Sequence, residues 1–270
     1  MKLTFLGTGT STGVPQIRCT CPVCTSSDPR DNRLRCAAMI ETHGKRLLID
    51  CGPDFREQML RFQKPEDGID ALLVTHSHYD HTGGIDDLRP YYGDHAQGFP
   101  IYCSEDVAGD LATRLPYCFP ARHYPGAPIL HLNIIESGQS FLIGDVESKN
   151  APAIYPFRVI HGKLPILGFR IGNLTYITDC KTLPDESLNA IAGKTDTLVI
   201  NALFDNRTLD REHPTHMNLT QALDLIEKIR PRRTFLIHMG HRIGLHHATV
   251  ATLPPSVTLA YDGLTVEIPE

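Results

Sequence analysis

Short apolar runs separated by polar and glycine-rich breaks recur along the chain, and most are too short for helices. Residues 3–6 read as a strand. Residues 37–42 and 45–49 flank His43-Gly44 and predict a hairpin. Further strands are expected at 72–75, 101–103 and 129–135, with a helix over 105–115 between the last two. Asp54 is placed to cap a helix running to Arg61, because a carboxylate there can accept the free amides of the first turn. Gly172-Asn173 predicts a hairpin joining 167–171 to 174–178, and Asp262-Gly263 a second one joining 257–260 to 264–268. Helical period is plainest between Asn218 and Ile229, where Leu219, Ala222, Leu223, Leu225, Ile226 and Ile229 form a stripe that Pro231 stops. Strands come first and recur with helices interspersed, without the steady alternation of a doubly wound sheet or a barrel. The pattern fits an α/β chain of two packed mixed sheets with helices outside.

Composition narrows the class. A length of 270 residues, 41% apolar and 21% charged, suits one soluble domain over 1–270 with a sizeable core. The formal charge of −5 gives no electrostatic reason for a long nucleic acid as partner. The apolar start at residues 3–6 meets Gly7-Thr8-Gly9 at once, too short for a signal peptide, and no run nears the roughly 20 residues a bilayer requires. A cytoplasmic location without a membrane partner is therefore expected, and the 8 Cys read as thiols or metal ligands. Cys36, Cys51, Cys103, Cys118 and Cys180 read as core fillers. Residues 7–13 lack the Lys-Ser/Thr ending of a phosphate loop and read as a tight turn at a site rim. Oligomeric state is left open, a homodimer included.

The chemistry is concentrated in Thr75-His76-Ser77-His78-Tyr79-Asp80-His81, straight after the apolar Ala71-Leu72-Leu73-Val74. Neutral imidazoles and a carboxylate suit zinc, manganese or iron(II). A turn leaving a buried strand end can aim His76 and His78 at one ion, and Asp80 and His81 at a neighbour. A second constellation, Cys19-Thr20-Cys21-Pro22-Val23-Cys24, puts three thiols within six residues. Structural zinc wants four ligands, so a fourth must come from elsewhere; His241, three residues after His238, is the choice.

The histidine motif resembles the T-H-x-H-x-D-H hallmark of the metallo-β-lactamase-fold hydrolases, over essentially the whole chain. The resemblance implies an αββα sandwich of two mixed β-sheets flanked by helices. It further implies that His161, Asp179 and His238, each closing a strand-like segment, complete the metal site. One ion would take His76, His78 and His161, the other Asp80, His81 and His238, with Asp179 bridging and Asp50 bracing the histidine loop. Within the superfamily, C-x-C-x-x-C near the N-terminus with a later H-x-x-H is similar to the PhnP-like cyclic phosphate phosphodiesterases, and supports His241 as the fourth zinc ligand.

That group implies two catalytic divalent ions (Zn or Mn), one structural Zn, and a small phosphodiester, cyclic in the leading reading, attacked by a metal-bridging hydroxide. Asp80 and His216 are then the expected catalytic residues, His216 as proton donor to the leaving oxygen. Arg89 and Lys163 align with residues that hold phosphate oxygens, although a surface salt bridge accounts for either equally well. Three alternatives share the fold: lactonase or thioesterase chemistry, RNA processing of the tRNase Z kind, and a non-hydrolytic role of the PqqB kind. The cysteine motif and His216 weigh against the first, the absence of a long inserted arm against the second, and the intact histidine motif against the third.

Overall fold

The computed structural model describes residues 1–144, 151–207 and 212–269. Fourteen strands among them lie in two sheets of seven. In chain order they are β1 (Lys2–Gly7), β2 (Ala37–Thr42), β3 (Lys45–Ile49), β4 (Ala71–Leu73), β5 (Phe99–Cys103), β6 (Leu130–Ile134), β7 (Phe141–Leu142), β8 (Ala153–His161), β9 (Leu164–Ile171), β10 (Leu174–Tyr176), β11 (Thr197–Asn201), β12 (Arg233–Ile237), β13 (Val257–Leu259) and β14 (Thr265–Glu267). The first sheet has the order β14-β1-β2-β3-β4-β5-β6, the second β13-β12-β11-β10-β9-β8-β7. Both are mixed: β3 to β6 pair in parallel while β1 to β3 are antiparallel, and β10 to β13 pair in parallel while β7 to β10 are antiparallel.

Side-chain parity builds the layers. Along a strand, alternate residues face opposite sides. Leu3, Phe5, Leu47, Ile49, Ala71 and Leu73 meet Phe169, Ile171, Tyr176, Val199, Phe235 and Ile237 of the second sheet in one apolar layer. Their neighbours Leu6, Leu48 and Leu72 turn outward to Phe55 and Met59 of α1 (Phe55–Phe62), and to Val107 and Leu111 of α3 (Glu105–Arg114), which follows the short α2 (Tyr79–Thr82). Leu198, Ile200 and Leu236 likewise pack under Ile191 of α4 (Asp185–Ile191) and the stripe Leu219, Ala222, Ile226 and Ile229 of α5 (Leu219–Ile229). The result is the αββα sandwich. No helix among the described residues is long and apolar enough to cross a membrane.

Two local expectations need correction. Asp54 sits at the N-cap of α1 but does not cap it with its side chain. Its carboxylate takes the Arg35 amide and guanidinium, both at 2.8 Å, because the ion pair outcompetes the helix amides for the same oxygens. Asp262-Gly263 does not close a hairpin. β13 pairs with β12 and β14 with β1, so the chain crosses there from one sheet to the other. The Asp262 carboxylate holds the crossing by accepting from Thr8 Oγ1 (2.8 Å) and the Leu34 amide (2.6 Å), contacts that no two-residue turn motif encodes. The Gly172 turn does join β9 to β10 as an antiparallel pair.

Candidate metal centre

β10, β11 and β12 run parallel to one another, and β8 runs with them across the antiparallel β9, so their C-terminal ends share one edge. His161, Asp179, Asn201 and His238 lie at those ends, while Asp50 and the loop 75–81 follow β3 and β4. Asp50, Asp179 and His238 all adopt left-handed backbone, with φ of 59°, 51° and 52°. Such conformations are uncommon outside glycine and cost energy, and they cluster where geometry serves a site. A left-handed residue turns the chain sharply, so each side chain is placed at the sheet edge.

His76, His78, His161 and Asp179 bring one ligand atom each within 4.8 Å of one another, as do Asp80, His81, Asp179 and His238. Asp179 belongs to both groups through different oxygens. Its Oδ1 faces His238 Nε2 at 3.0 Å and His81 Nε2 at 3.5 Å; its Oδ2 faces His76 Nε2 at 3.7 Å and His161 Nε2 at 4.0 Å. Asp80 Oδ2 lies 3.2 Å from His81 Nε2 and 3.5 Å from His238 Nε2. A tetrahedral ion with bonds of about 2.0–2.1 Å would hold its ligand atoms roughly 3.3 Å apart, so the spacing fits.

The hydrogen bonds support the same reading. His76 Nε2, Asp80 Oδ2, His81 Nε2 and His238 Nε2 are buried without a hydrogen-bond partner despite these short approaches. Lone pairs aimed at a common point, not at each other, leave that signature. Buried polar groups are otherwise almost always satisfied, so orphans that converge fit a cation.

Outer contacts fix each ligand. Asp50, fully buried, accepts from the Thr75 amide (2.8 Å) and hydroxyl (2.9 Å) and lies 2.7 Å from His81 Nδ1, which turns His81 Nε2 inward. His161 Nδ1 donates to the Thr215 carbonyl at 2.9 Å, freeing its Nε2 for the centre. Burial opposes the Asp179 charge, but the His238 and His81 imidazoles more than offset it and hold its carboxyl well below the usual range. Burial drives His76 and His78 downward, toward the neutral form that binds metal.

Two positioning contacts were not read from the sequence. Asn201, fully buried, accepts from the Cys180 amide (2.7 Å) through Oδ1 and donates to the Cys180 carbonyl (3.0 Å) through Nδ2. This clamp pins the backbone directly after Asp179. Cys36 accepts the His238 amide on its sulfur at 3.1 Å, so it is more than a core filler. The apolar run Leu198-Val199-Ile200 ending in Asn201 carried a strand signal; Cys36 offered none, since its partner lies 202 residues away.

His216, buried, places Nε2 3.3 Å from Asp179 Oδ2 and stacks on His238 with ring centroids 4.9 Å apart. Burial pushes it down to about 4. Its Nδ1 lies 2.9 Å from Thr215 Oγ1 and 3.3 Å from His213 Nδ1. Lys163 is exposed in the turn after His161. Arg89 is in the salt-bridge arrangement: Nε and Nη2 go to Asp86 at 2.7–3.1 Å and Nη1 to the Gly126 carbonyl, so a phosphate would have to displace Asp86 to be held by it.

The second group lies nearby. Sγ of Cys19, Cys21 and Cys24 stand 3.0, 3.5 and 3.4 Å from His241 Nδ1. Zinc with bonds of about 2.3 Å to sulfur and 2.0 Å to nitrogen would set that separation near 3.5 Å. These four residues fit a closed structural ion.

Comparison with known proteins agrees with this geometry. Residues 45–239 match the beta-lactamase superfamily domain. A solved structure described as a new diphosphatase from the PhnP family superposes with a TM-score of 0.85, at 36% identity over 98% of this chain and 96% of that one. A protein named octanoyltransferase from Porphyromonas gingivalis (strain ATCC BAA-308 / W83) is 40% identical over 100% of this chain, but the chain spans only 52% of it. Coenzyme PQQ synthesis protein B of Pseudomonas fluorescens (strain SBW25) is 25% identical over 99% of this chain and 100% of its own length. With its fold, its paired His/Asp groups and its full-length similarity to a PhnP-family diphosphatase, the chain belongs to the metallo-β-lactamase-fold hydrolases and, within them, to the PhnP-like group.

Proposed function

We propose that the chain is a dinuclear metal-dependent phosphodiesterase acting on a small, cyclic phosphodiester, with His216 assisting the leaving group. The observation that carries this is the division of Asp179 between two ligand groups with His216 at its side. Two divalent ions held there would acidify a shared water and neutralise charge on phosphoryl oxygens. The chain's own residues do the rest. Asp50, Thr75, Asn201 and Cys36 hold the ligands in place before substrate arrives, so little reorganisation accompanies reaction. Asp80 completes the second ligand group.

An alkoxide leaving group wants a proton or a strong hydrogen bond at the departing oxygen. Burial keeps His216 neutral near pH 7, so in this reading its Nε2 donates a hydrogen bond to the departing oxygen, its ring held by Thr215, His213 and the stack on His238. Lys163, exposed beside His161, is available to a phosphate oxygen; Arg89 is available only after leaving Asp86.

A second reading, cleavage of a diphosphate, is favoured by the description of the 36% identical structure as a diphosphatase. Acyl transfer has weaker support, since almost half of the octanoyltransferase has no counterpart here. A metal-defined screen of bis-p-nitrophenyl phosphate, 2′,3′-cyclic nucleotides, dinucleoside diphosphates, lactones and thioesters tests these readings. The proposal expects turnover of the diesters; turnover confined to lactones or thioesters would overturn it.

A further inference from the structure

Ring contacts fix the plane of His216 but not which edge of it faces the metal groups. The ring stacks on His238 at an interplanar angle of 12° and stands against His161 at 68°, with centroids 4.9 and 4.6 Å away. Both contacts survive a half-turn about the Cβ–Cγ bond, a torsion that is broad and roughly two-fold for histidine. Such a turn would exchange Nε2 for Cε1 and aim a carbon where the nitrogen now points. Hydrogen bonds to the ring nitrogens have to choose between the two.

Nε2 lies 3.3 Å from Asp179 Oδ2. A carboxylate oxygen only accepts, so Nε2 carries the hydrogen and Nδ1 of the neutral ring is left with a lone pair. Asp179 belongs to both ligand groups, however, and is shared with four other histidines. The contact reserved for His216 is on its other nitrogen. Thr215 Oγ1 stands 2.9 Å from Nδ1 and can donate its hydrogen to that lone pair. His213 Nδ1, also in reach at 3.3 Å, accepts the Thr215 amide at 3.4 Å and so has no hydrogen to give.

Thr215 serves the metal ligands through different atoms. Its carbonyl accepts from His161 Nδ1 at 2.9 Å. Its methyl is seated against Gly162, where a Cβ would stand only 2.9 Å from Thr215 Cγ2, and this packing leaves the hydroxyl for His216. Side-chain substitution can therefore remove the hydroxyl contact and spare the carbonyl one.

We infer that Thr215 is a positioning residue whose hydroxyl donates to His216 Nδ1 and so keeps Nε2–H aimed at the departing oxygen, while its carbonyl separately orients His161. The role given to Nε2 rests on the phosphodiesterase reading; the hydrogen bond to Nδ1 does not.

Two variants divide the side chain: Thr215→Val keeps the shape and loses the hydroxyl, and Thr215→Ser keeps the hydroxyl and loses the methyl. Nitrogen NMR of isotope-labelled, zinc-loaded protein at neutral pH, with His216 identified by its loss in His216→Ala, reads the ring directly. Wild type and Thr215→Ser should show a single tautomer, with Nε2 protonated and Nδ1 at the position of a hydrogen-bonded acceptor. Thr215→Val should move Nδ1 to the position of a free lone pair or broaden it between tautomers. An unchanged Nδ1 signal overturns the inference, whatever the substrate proves to be. On diesters with poor leaving groups, kcat of Thr215→Val should fall about tenfold, the worth of roughly one hydrogen bond, with KM and metal content near wild type. The bis-p-nitrophenyl ester should lose much less, Thr215→Ser should keep most of the wild-type rate, and Thr215→Val should cost nothing further in a His216→Ala background. Equal losses on both esters, or the same loss with His216 absent, reduce Thr215 to packing and overturn its positioning role. Absence of turnover on every diester, with the nitrogen signals as expected, would refute the phosphodiesterase reading and still support the hydrogen bond that holds His216.

Discussion

The two ligand groups of this molecule are built in opposite ways. The His/Asp cluster is buried except at His78 and drawn from strand ends of both sheets, and most of its members are held by a neighbour: His81 by Asp50, His161 by the Thr215 carbonyl, Asp179 through the Asn201 clamp, His238 through Cys36. The thiol group sits in a loop. Only Cys24 of its four members is buried, and its apolar support is a small patch of Val14 and Val23 with Leu245 partly covering it. The scaffold organises the first site in advance, whereas the ion must organise the second. Loss of metal should therefore leave the cluster in place and loosen the loop.

The largest effect is expected where the two catalytic groups meet. Asp179→Ala removes a ligand from both, so metal content measured by elemental analysis should fall by at least one ion per chain. Diester turnover should fall on the order of a thousandfold or more, above what one lost electrostatic contact costs. Full metal content with near-normal turnover would dissolve the shared-carboxylate picture.

Asn201→Leu comes next. It removes both partners of the Cys180 backbone, and an unsatisfied buried group costs about 1–3 kcal/mol, so the melting temperature should drop. Loss of such outer support also lowers metal affinity about 10- to 100-fold, measurable by competition with a chelator. Asn201→Asp, keeping one of the two bonds, should fall between. A drop in stability with unchanged metal affinity would make Asn201 a structural residue only.

Cys21→Ser probes the other side of the comparison. Zinc in such sites contributes folding free energy directly, so the loop 10–35 should become protease-sensitive and the melting temperature fall, while the His/Asp cluster keeps its ions. Turnover should drop about tenfold, because His241 follows His238 by three residues and small misplacements of catalytic groups are costly. Wild-type turnover at low temperature would show the loop to be a staple alone. The smallest effect belongs to Cys36→Ser, which keeps an acceptor for the His238 amide; Cys36→Ala, which does not, should weaken metal binding by a further factor of a few, read in the same chelator competition.

How far the sequence spoke differs between these regions for the same physical reason. The thiol loop and the histidine motif are local, with three ligands or more inside seven residues, so spacing alone shows them. His161, Asp179 and His238 were legible only as the polar ends of apolar runs together with the family resemblance, since their meeting depends on strand order. Asn201 and Cys36 act across the sheets on backbone groups, a relation with no sequence period. The Asp262-Gly263 crossing was misread because its flanking strands carry hairpin patterning, while their partners β12 and β1 lie far away in the chain.

The most direct test of this division is a metal count on protein purified without chelator, repeated after exhaustive reconstitution with zinc or manganese. Three ions per chain are expected, at least one lost in Asp179→Ala and one lost in Cys21→Ser, with a thiolate charge-transfer band on cobalt substitution confined to the latter site. One ion or none after reconstitution, or a single variant that empties every site, would contradict it.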